Sequence, residues 1–444
     1  MVTLTYEQAI AQCRSAPLHS PQGTVLEVLG LIVEIGGLRA AVGDTLLVET
    51  RRGQVEVEVV GFRGDRLLTT PLGPISGVSH GARAIHTRRG ATVAVSEALM
   101  GRVVDALGNP LDGGPALGAT RSCPIHASPP DPFARKPICR QFTSGVRAID
   151  AFTPLGVGQR VGIFAGAGVG KSTLLGMICR SSQADVNVVG LVGERGRELN
   201  DFIRNALGAE GLARSVIVAA TSDQPPLLRA RGAEVATAIA EYFRDQGKTV
   251  LLVMDSVTRY AMAMREAALA AGEPPATKGY PPSVFAALPR LLERAGNGAS
   301  EGSITALYTV LVEGDDLSDP VADAVRSILD GHIVLSRQLA EAGHFPAIDI
   351  SRSISRLATE VASETQIAVS NGIRELLAAH REAADLIQVG AYQAGSDPAV
   401  ETALRIMPQL EQFLCQRTAD KMSSAETLAR LLALGRMAQT SGGR

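Results

Sequence analysis

The chain has 444 residues, enough for about three domains of ordinary size and a large apolar core. Apolar residues make up 45% and charged residues 20%, a composition that excludes a mainly disordered chain. Lysine and arginine (43) nearly balance aspartate and glutamate (45), so the strong basic excess of a dedicated nucleic-acid binder is absent.

The first residues and the cysteines bear on the compartment. Polar side chains interrupt residues 1–18, so we expect no secretory signal, and no run approaches the ~20 apolar residues that cross a bilayer. The 5 cysteines are scattered and form no CxxC pair, which argues against a disulfide framework or a cysteine metal site. We therefore expect a soluble cytoplasmic protein.

The N-terminal quarter predicts a short segment and a barrel. In residues 1–20 the spacing of the apolar residues suits a short helix, although a frayed terminus would show the same pattern. From 21 to 90 short alternating runs, such as Val55 to Val59, are broken by glycines and predict a small β-barrel. A proline-rich stretch, 124–137, is interpreted as the linker between the barrel and the rest of the chain.

The middle of the chain predicts an α/β core over 91–360. Buried apolar runs alternate with helical stretches, which implies a mostly parallel sheet flanked by helices. The runs are 160–164, 186–192, 216–220, 250–254 and 304–311. After about residue 359 only helical spacing remains, so 361–444 is predicted to be a helical domain with a frayed tail at 441–444.

A glycine-rich motif comes directly after the first of these runs. It leads into a helical stretch, which is the setting of a P-loop, whose backbone N–H groups cradle phosphates at a helix N-terminus. Lys171 would reach the β- and γ-phosphates, and the Ser172 hydroxyl would ligate Mg²⁺. Ala165 stands where the motif usually has glycine. The predicted nucleotide-binding residues of the motif are Ala165, Gly166, Ala167, Gly168, Val169, Gly170, Lys171, Ser172 and Thr173.

Carboxylates end two other predicted strands. Asp255 follows 250–254, where it would hold the Mg²⁺ shell through water. Glu194 follows 186–192 and is placed to orient and polarise the attacking water. Glu198 competes for that role, but one helical turn later it suits a salt bridge with a neighbouring arginine. Together these residues predict a magnesium-dependent ATPase.

With PAID (346–349) and SISR (353–356), these motifs resemble the catalytic subunits of the rotary ATPases and type III export ATPases. The resemblance covers nearly the whole chain. Within that superfamily the export branch is indicated by GERGRE (193–198), GYPPSVF (279–285) and LPRLLERAG (288–296). The later motifs VGAY (389–392), GSDP (395–398) and LEQFL (410–414) look more like flagellar export ATPases than injectisome ones.

The resemblance implies a fold and a mechanism. The fold is α/β, with a RecA-like P-loop core preceded by the barrel and followed by the helical domain. The active form is a ring of six identical chains with ATP at each boundary, where Arg356 reaches the neighbour's site as an arginine finger. Arg352 lies one turn away, and Arg356 could instead be an ordinary surface arginine. Arg195 and Arg259 are secondary candidates on the phosphate side.

For the base, the resemblance implies that Phe345 stacks on adenine, although a lone phenylalanine is more often core. Two further aromatic positions of rotary β subunits fall near Thr418 and Ser424, which are not aromatic. Relaxed base selectivity is the resulting hypothesis. The loop 272–283 looks like the segment that faces the ring's central channel and grips a coiled-coil stalk, or it is only a rigid surface loop.

The function implied is ATP-driven export of proteins, most simply flagellar, with chaperone release and unfolding of the substrates. Implied partners are a stator that binds the N-terminal segment 1–20, the stalk, and export chaperones with their cargo. The ring also docks peripherally at a membrane gate, and no nucleic acid is implied. The injectisome ATPase remains an alternative. A rotary synthase subunit is disfavoured by GERGRE and by the stretch from PPSVF to ERAG. A Rho-like RNA translocase is disfavoured by the few aromatics before residue 100, and a non-catalytic ring subunit by Glu194.

Overall fold

The computed structural model describes residues 21–299, 301–312 and 319–439. The chain divides into two compact units, residues 1–91 and 92–444. The predicted N-terminal segment, 1–20, and the expected frayed tail, 441–444, lie outside the described residues.

The first unit is a closed barrel of six strands in the order β1-β2-β5-β4-β3-β6. The strands are β1 (Gln22–Leu29), β2 (Ile32–Gly36), β3 (Asp44–Thr50), β4 (Gly53–Arg63), β5 (Arg66–Pro71) and β6 (Arg83–Gly90). In β4 the alternation seen in the sequence faces Val55, Val57 and Val59 inward, at most 7% exposed. The barrel prediction is confirmed.

The second unit is built on a nine-stranded sheet whose order is β19-β18-β12-β17-β15-β13-β14-β8, with β16 paired to β17. Its strands between β8 and β18 pair in parallel, whereas β16 and β19 are antiparallel. All five apolar runs form central strands, so the predicted parallel sheet is confirmed. The strands of this unit are β7 (Thr92–Val95), β8 (Val103–Asp105), β9 (Arg121–Pro124), β10 (Gln141–Phe142), β11 (Leu155–Gly156), β12 (Arg160–Ala165), β13 (Val186–Glu194), β14 (Ser215–Thr221), β15 (Thr249–Asp255), β16 (Gly296–Asn297), β17 (Ser303–Leu311), β18 (Gly331–Val334) and β19 (Ile354–Ser355).

Helices connect the parallel strands, as such crossovers require. They are α1 (Arg147–Phe152), α2 (Lys171–Ser181), α3 (Gly196–Asp201), α4 (Gly208–Ala213), α5 (Pro226–Asp245), α6 (Val257–Ala270), α7 (Pro282–Leu292), α8 (Pro320–Ile328), α9 (Arg337–Glu341) and α10 (Ala358–Val361), with a π-helical turn at Phe202–Leu207 between α3 and α4. None of the helices in the described ranges is long and apolar enough to span a membrane.

The C-terminal region is helical, as predicted. Between residues 359 and 439 the regular elements are the end of α10 and the helices α11 (Glu364–Gln388), α12 (Pro398–Leu414) and α13 (Ser424–Gln439). Their apolar faces join the core of the sheet unit, where Ile373, Leu410 and Leu431 are each at most 1% exposed. This packing brings the segment between α12 and α13 towards the helix that follows β12.

The proline-rich stretch 124–137 is not a linker, and that prediction is wrong. Strand β8, before it, pairs in parallel with β14 of the large sheet, so residues 92–124 already belong to the second unit. The stretch itself is held by specific contacts: Arg135 Nη1 donates to Ala295 O over 2.8 Å, and Lys136 N donates to Gly298 O over 3.3 Å. Proline content predicted a linker because the sequence does not reveal these long-range hydrogen bonds.

Candidate active site

The glycine-rich motif forms the turn between β12 and α2. Gly168 and Gly170 have φ of +77° and +89°, values that side chains other than glycine rarely adopt, and Gly170 caps the helix that Lys171 begins. The turn therefore aims backbone N–H groups and the positive helix end into one cavity. Ala165 ends β12 and is fully buried, and Val169 is 2% exposed, so neither side chain lines that cavity.

Three charged side chains of the prediction meet beside this turn. Asp255 ends β15 and Glu194 ends β13, adjacent parallel strands whose carboxyl ends share one edge of the sheet. Lys171 Nζ lies 2.5 Å from Asp255 Oδ1 and 3.7 Å from Glu194 Oε1. Thr309, on the strand between β12 and β15, donates to Asp255 Oδ1 over 2.7 Å. The lysine and both carboxylates are largely enclosed, with side chains 4–13% exposed.

The electrostatics of this cluster separate the two glutamates. Burial, and next a hydrogen bond with Glu198, raise the pKa of Glu194 to about 7, against the opposing charge of Lys171. The same hydrogen bond lowers the pKa of Glu198. The expected salt bridge of Glu198 is present with Arg195, at 4.0 Å. Glu198 thus contacts both Arg195 and Glu194, and Glu194 is the residue with which it competes for the role of orienting the water.

The cavity over the turn has a volume of about 460 Å³. Both secondary arginines line it. Arg195 is on the solvent side, with its side chain 79% exposed, whereas Arg259 packs against Gly193 and its buried Nε has no hydrogen-bond partner among the described residues. The lining residues are Gly166, Ala167, Gly168, Gly170, Lys171, Ser172, Thr173, Leu191, Glu194, Arg195, Glu198, Leu199, Phe202, Asp255, Arg259 and Leu311.

A second, larger cavity of about 1040 Å³ shares Gly170 and Thr173 with the first. Phe345 lines it, and a Cβ on Gly170 would lie 3.4 Å from the Phe345 ring, so the ring rests against the glycine turn. Thr418 lines the cavity as well, whereas Ser424 begins α13 outside its lining. The cavity over the charged cluster and a wider cavity with an aromatic wall therefore adjoin along one turn.

Comparison with known proteins places this site in a family. The model of the ATP synthase alpha/beta family, nucleotide-binding domain, matches residues 145–355, and that of the T3SS EscN ATPase C-terminal domain matches 362–433. The flagellum-specific ATP synthase of Salmonella typhimurium is 52% identical over 422 residues, covering 92% of each chain. The type 3 secretion system ATPase of Xanthomonas euvesicatoria is 50% identical over 412 residues, covering 92% of this chain and 93% of the relative.

The chain belongs to the family of flagellar and type III secretion ATPases. A solved structure of the assembled ATPase EscN from the enteropathogenic E. coli type III secretion system is 43% identical and superposes with a TM-score of 0.87, covering 93% of this chain and 100% of that one. Membership confirms the predicted resemblance, the fold and the ATPase activity. The base and phosphates of a nucleotide are the ligands that the two adjoining cavities suit.

The oxygen donors at the cavity over the glycine turn are of the kind that fits Mg²⁺. The Ser172 hydroxyl and the Asp255 carboxylate supply oxygen at the phosphate cavity, and Mg²⁺ binds through one or two protein oxygens with phosphates and waters. The described residues contain no cluster of three or more His, Cys, Asp or Glu side chains suited to an all-protein metal cage. The arrangement matches a metal that arrives with nucleotide.

The structure does not bring Arg356 to these cavities. Arg356 follows β19 and its N donates to Asp330 O over 3.0 Å, beside Arg160 at the start of β12. The glycine turn lies at the other end of β12, and the steps between the six residues of that strand, at about 3.3 Å each, separate the two edges by ~16 Å. Arg356 is exposed, and its Nη2 donates a hydrogen bond of 3.4 Å to Arg326 O. Arg352 is exposed too.

Sequence reasoning missed two residues of the site. Thr309 was visible as a polar residue inside a buried apolar run, a signal that could have been read as a partner for Asp255. Gln416 gave no signal. It is 5% exposed, its N donates to Phe345 O over 2.9 Å, and its Oε1 accepts from Arg147 N over 2.9 Å. Gln416 thus fixes the segment that carries Phe345 against α1 and the C-terminal helices.

Proposed function

We propose that the chain hydrolyses Mg²⁺-ATP in a homohexameric ring and thereby drives protein export by a flagellar apparatus at the cytoplasmic face of the membrane. The ring would act on chaperone-bound cargo beside a membrane gate, held by a stator and a central stalk. The observation that carries the proposal is that Lys171, Asp255 and Glu194 share one cavity while Arg356 lies at the opposite edge of the same sheet.

Each side chain at the cavity has a role in this proposal. Lys171 neutralises charge on the β- and γ-phosphates. Ser172 and Asp255 would hold Mg²⁺, and the bound metal would offset the negative charge that develops on the phosphates during the reaction. Glu194, 3.7 Å from the lysine, orients the attacking water and accepts its proton. Arg259 faces the phosphate side from inside the subunit, and Arg195 does so from the solvent side.

The position of Arg356 supports a ring. An arginine finger must approach the transferred phosphoryl group, and Arg356 is separated from its own P-loop by the length of β12. It can serve only the site of another copy. The relatives' structures agree with such an assembly: one is of assembled EscN, and another is of assembled EscN in complex with its central stalk EscO, at 43% identity and a TM-score of 0.85.

The flagellar assignment rests on relatives and motifs. Flagellum-specific ATP synthases of Salmonella typhimurium and Bacillus subtilis are 52% and 49% identical to this chain. An injectisome role is the second candidate, because the Xanthomonas euvesicatoria type 3 secretion ATPase is 50% identical. Expression in strains that lack either their flagellar or their injectisome ATPase separates the two: restored swimming supports the first role and restored effector secretion the second.

The test of the mechanism is ATP hydrolysis per chain over a wide range of protein concentration. We compare the wild type with Arg356→Ala and with Arg352→Ala, an exposed arginine that precedes β19 and serves as the matched control. Specific activity should rise cooperatively with concentration for the wild type and the control and stay near background for Arg356→Ala. If Arg356→Ala matched the wild type, or if pure wild type were inactive at every concentration, the homomeric mechanism would be wrong.

A further inference from the structure

One aromatic side chain on the protein surface is fully exposed to solvent. Phe133 is 100% exposed, whereas the next most exposed large apolar residue in the described ranges, Val389, is 75% exposed. Single apolar residues on a surface are common and by themselves mean little. The segment around Phe133 therefore decides whether this ring has a role.

That segment, 129–136, is rigid and anchored. Prolines at 129, 130 and 132 restrict the backbone, and the Asp131 carboxylate accepts a hydrogen bond from Phe133 N over 2.9 Å. On the other side Arg135 points inward, where its guanidinium contacts Glu293 and donates to Ala295 O over 2.8 Å. Because the backbone is restrained, only the two side-chain torsions of Phe133 would have to be ordered when a partner buries the ring, which suits a binding anchor.

The anchored segment is connected to Arg356 by a continuous run of polar contacts. Glu293 Oε2 lies 3.5 Å from Arg135 Nη2 and also pairs with Arg160. Arg160 N and Nε donate to Asp330 Oδ2, each over 3.1 Å. Asp330 O then accepts from Arg356 N over 3.0 Å. Phe133 and Arg356 are therefore presented from the same edge of the large sheet, the one that faces away from the glycine turn.

We propose that Phe133 is an anchor of the contact between neighbouring copies of this chain, and that the run from Arg135 to Asp330 fixes its position relative to Arg356. Burial of the ring in the neighbour then places Arg356 at the neighbour's nucleotide. This inference rests on the proposed function, since a second copy is the partner that needs Arg356 from this edge. Aromatic residues dominate the energetics of such contacts when they are fully desolvated.

The experiment compares Phe133→Ser, Phe133→Leu and the wild type, with Leu111→Ser as the control. Leu111 is another exposed apolar residue, 55% exposed, outside the anchored segment. Self-association and ATP hydrolysis are followed over protein concentration, and affinity of the dilute chain for a fluorescent ATP analogue is measured. Phe133→Ser should raise the concentration at half-assembly at least about tenfold, as loss of an anchor does. The concentration at half-assembly of Phe133→Leu should lie between those of Phe133→Ser and the wild type, and that of Leu111→Ser should match the wild type.

Two further readouts separate this inference from the proposed function. At saturating protein concentration Phe133→Ser should recover the wild-type rate per chain, whereas Arg356→Ala should not recover at any concentration. Assembly of Phe133→Ser at the concentrations at which the wild type assembles would overturn the proposed role of Phe133 and leave the role of Arg356 intact. A photo-crosslinking p-benzoylphenylalanine at position 133 should join two copies of the chain, and crosslinks solely to a different protein would also overturn the inference.

Discussion

Lys171 and Asp255 form an ion pair across the P-loop: Nζ of the lysine lies 2.5 Å from Oδ1 of the aspartate, which also accepts from Thr309 over 2.7 Å. In the proposed mechanism the lysine serves the nucleotide phosphates and the aspartate serves Mg²⁺. Both groups must therefore exchange this mutual contact for contacts to Mg²⁺-ATP. Mg²⁺ bound with ATP would supply the positive charge that Asp255 loses when Lys171 turns to the phosphates.

The first prediction concerns Asp255→Asn. The change removes the ion pair and the negative charge beside the metal, so we expect Mg²⁺-ATP hydrolysis to fall by at least about 10²-fold. ATP alone should bind as well as to the wild type or more tightly, because Lys171 is released from its partner. Binding of a fluorescent ATP analogue with EDTA and with Mg²⁺ measures both effects. Asp245→Asn, an exposed aspartate at the end of α5, is the control, and full Mg²⁺ stimulation in Asp255→Asn would contradict the assignment.

The second prediction is a pH dependence of kcat/KM. Burial, followed by the hydrogen bond with Glu198, raises the pKa of Glu194 to about 7, and the protonated carboxyl cannot accept a proton from water. Activity should therefore fall as the pH drops through about 7. Glu198→Ala removes one cause of the raised pKa, so its acid limb should move to lower pH.

The controls for this profile are Glu194→Gln and Glu210→Ala. Glu194→Gln should lose about 10² to 10⁴ in kcat while ATP binding is retained, and its residual rate should lack the limb. Glu210 pairs with Lys421 on the exterior, so Glu210→Ala should keep the wild-type profile. A limb near pH 7 that survives in Glu194→Gln belongs to another group and would rule out this assignment.

The third prediction concerns the base. Phe345 is 46% exposed and lies against the glycine turn, while Thr418 lines the same cavity without an aromatic ring. Stacking on one ring contributes about 1–3 kcal/mol and distinguishes poorly between purines, so kcat/KM for GTP should lie within about tenfold of that for ATP. Phe345→Ala should raise KM for both to a similar extent. A preference for ATP of several orders of magnitude would refute this hypothesis.

Local patterns predicted the elements of the site because each depends on residues close in the chain. The strand is determined by the buried run ending at Phe164, the turn by the glycines that follow it, and the helix begins at Lys171. Glu194 and Asp255 were predicted at strand ends, and parallel order placed both at one edge. That Lys171 pairs with Asp255 depends on the order of β12, β17 and β15 across the sheet, which periodicity does not encode.

Other features could not be predicted, because they depend on contacts between distant segments. The proline-rich stretch has the composition of a spacer, yet Arg135 within it is bonded to Ala295, 160 residues away. Gln416 is an ordinary polar residue in the sequence, yet it contacts the backbones of Phe345 and Arg147. The role predicted for Arg356 involves a second chain. A single copy therefore places Arg356 at the edge of the sheet that faces away from the nucleotide cavities.

The central claim is that each site is completed by Arg356 of a neighbouring copy, and mixing two inactive variants tests it most directly. Lys171→Ala lacks a working P-loop and Arg356→Ala lacks the finger, so each alone should stay near background. In mixed rings an intact P-loop meets an intact Arg356 at about one boundary in four, so an equal mixture should recover up to roughly a quarter of the wild-type rate. No recovery, in mixtures that demonstrably co-assemble, would contradict the account.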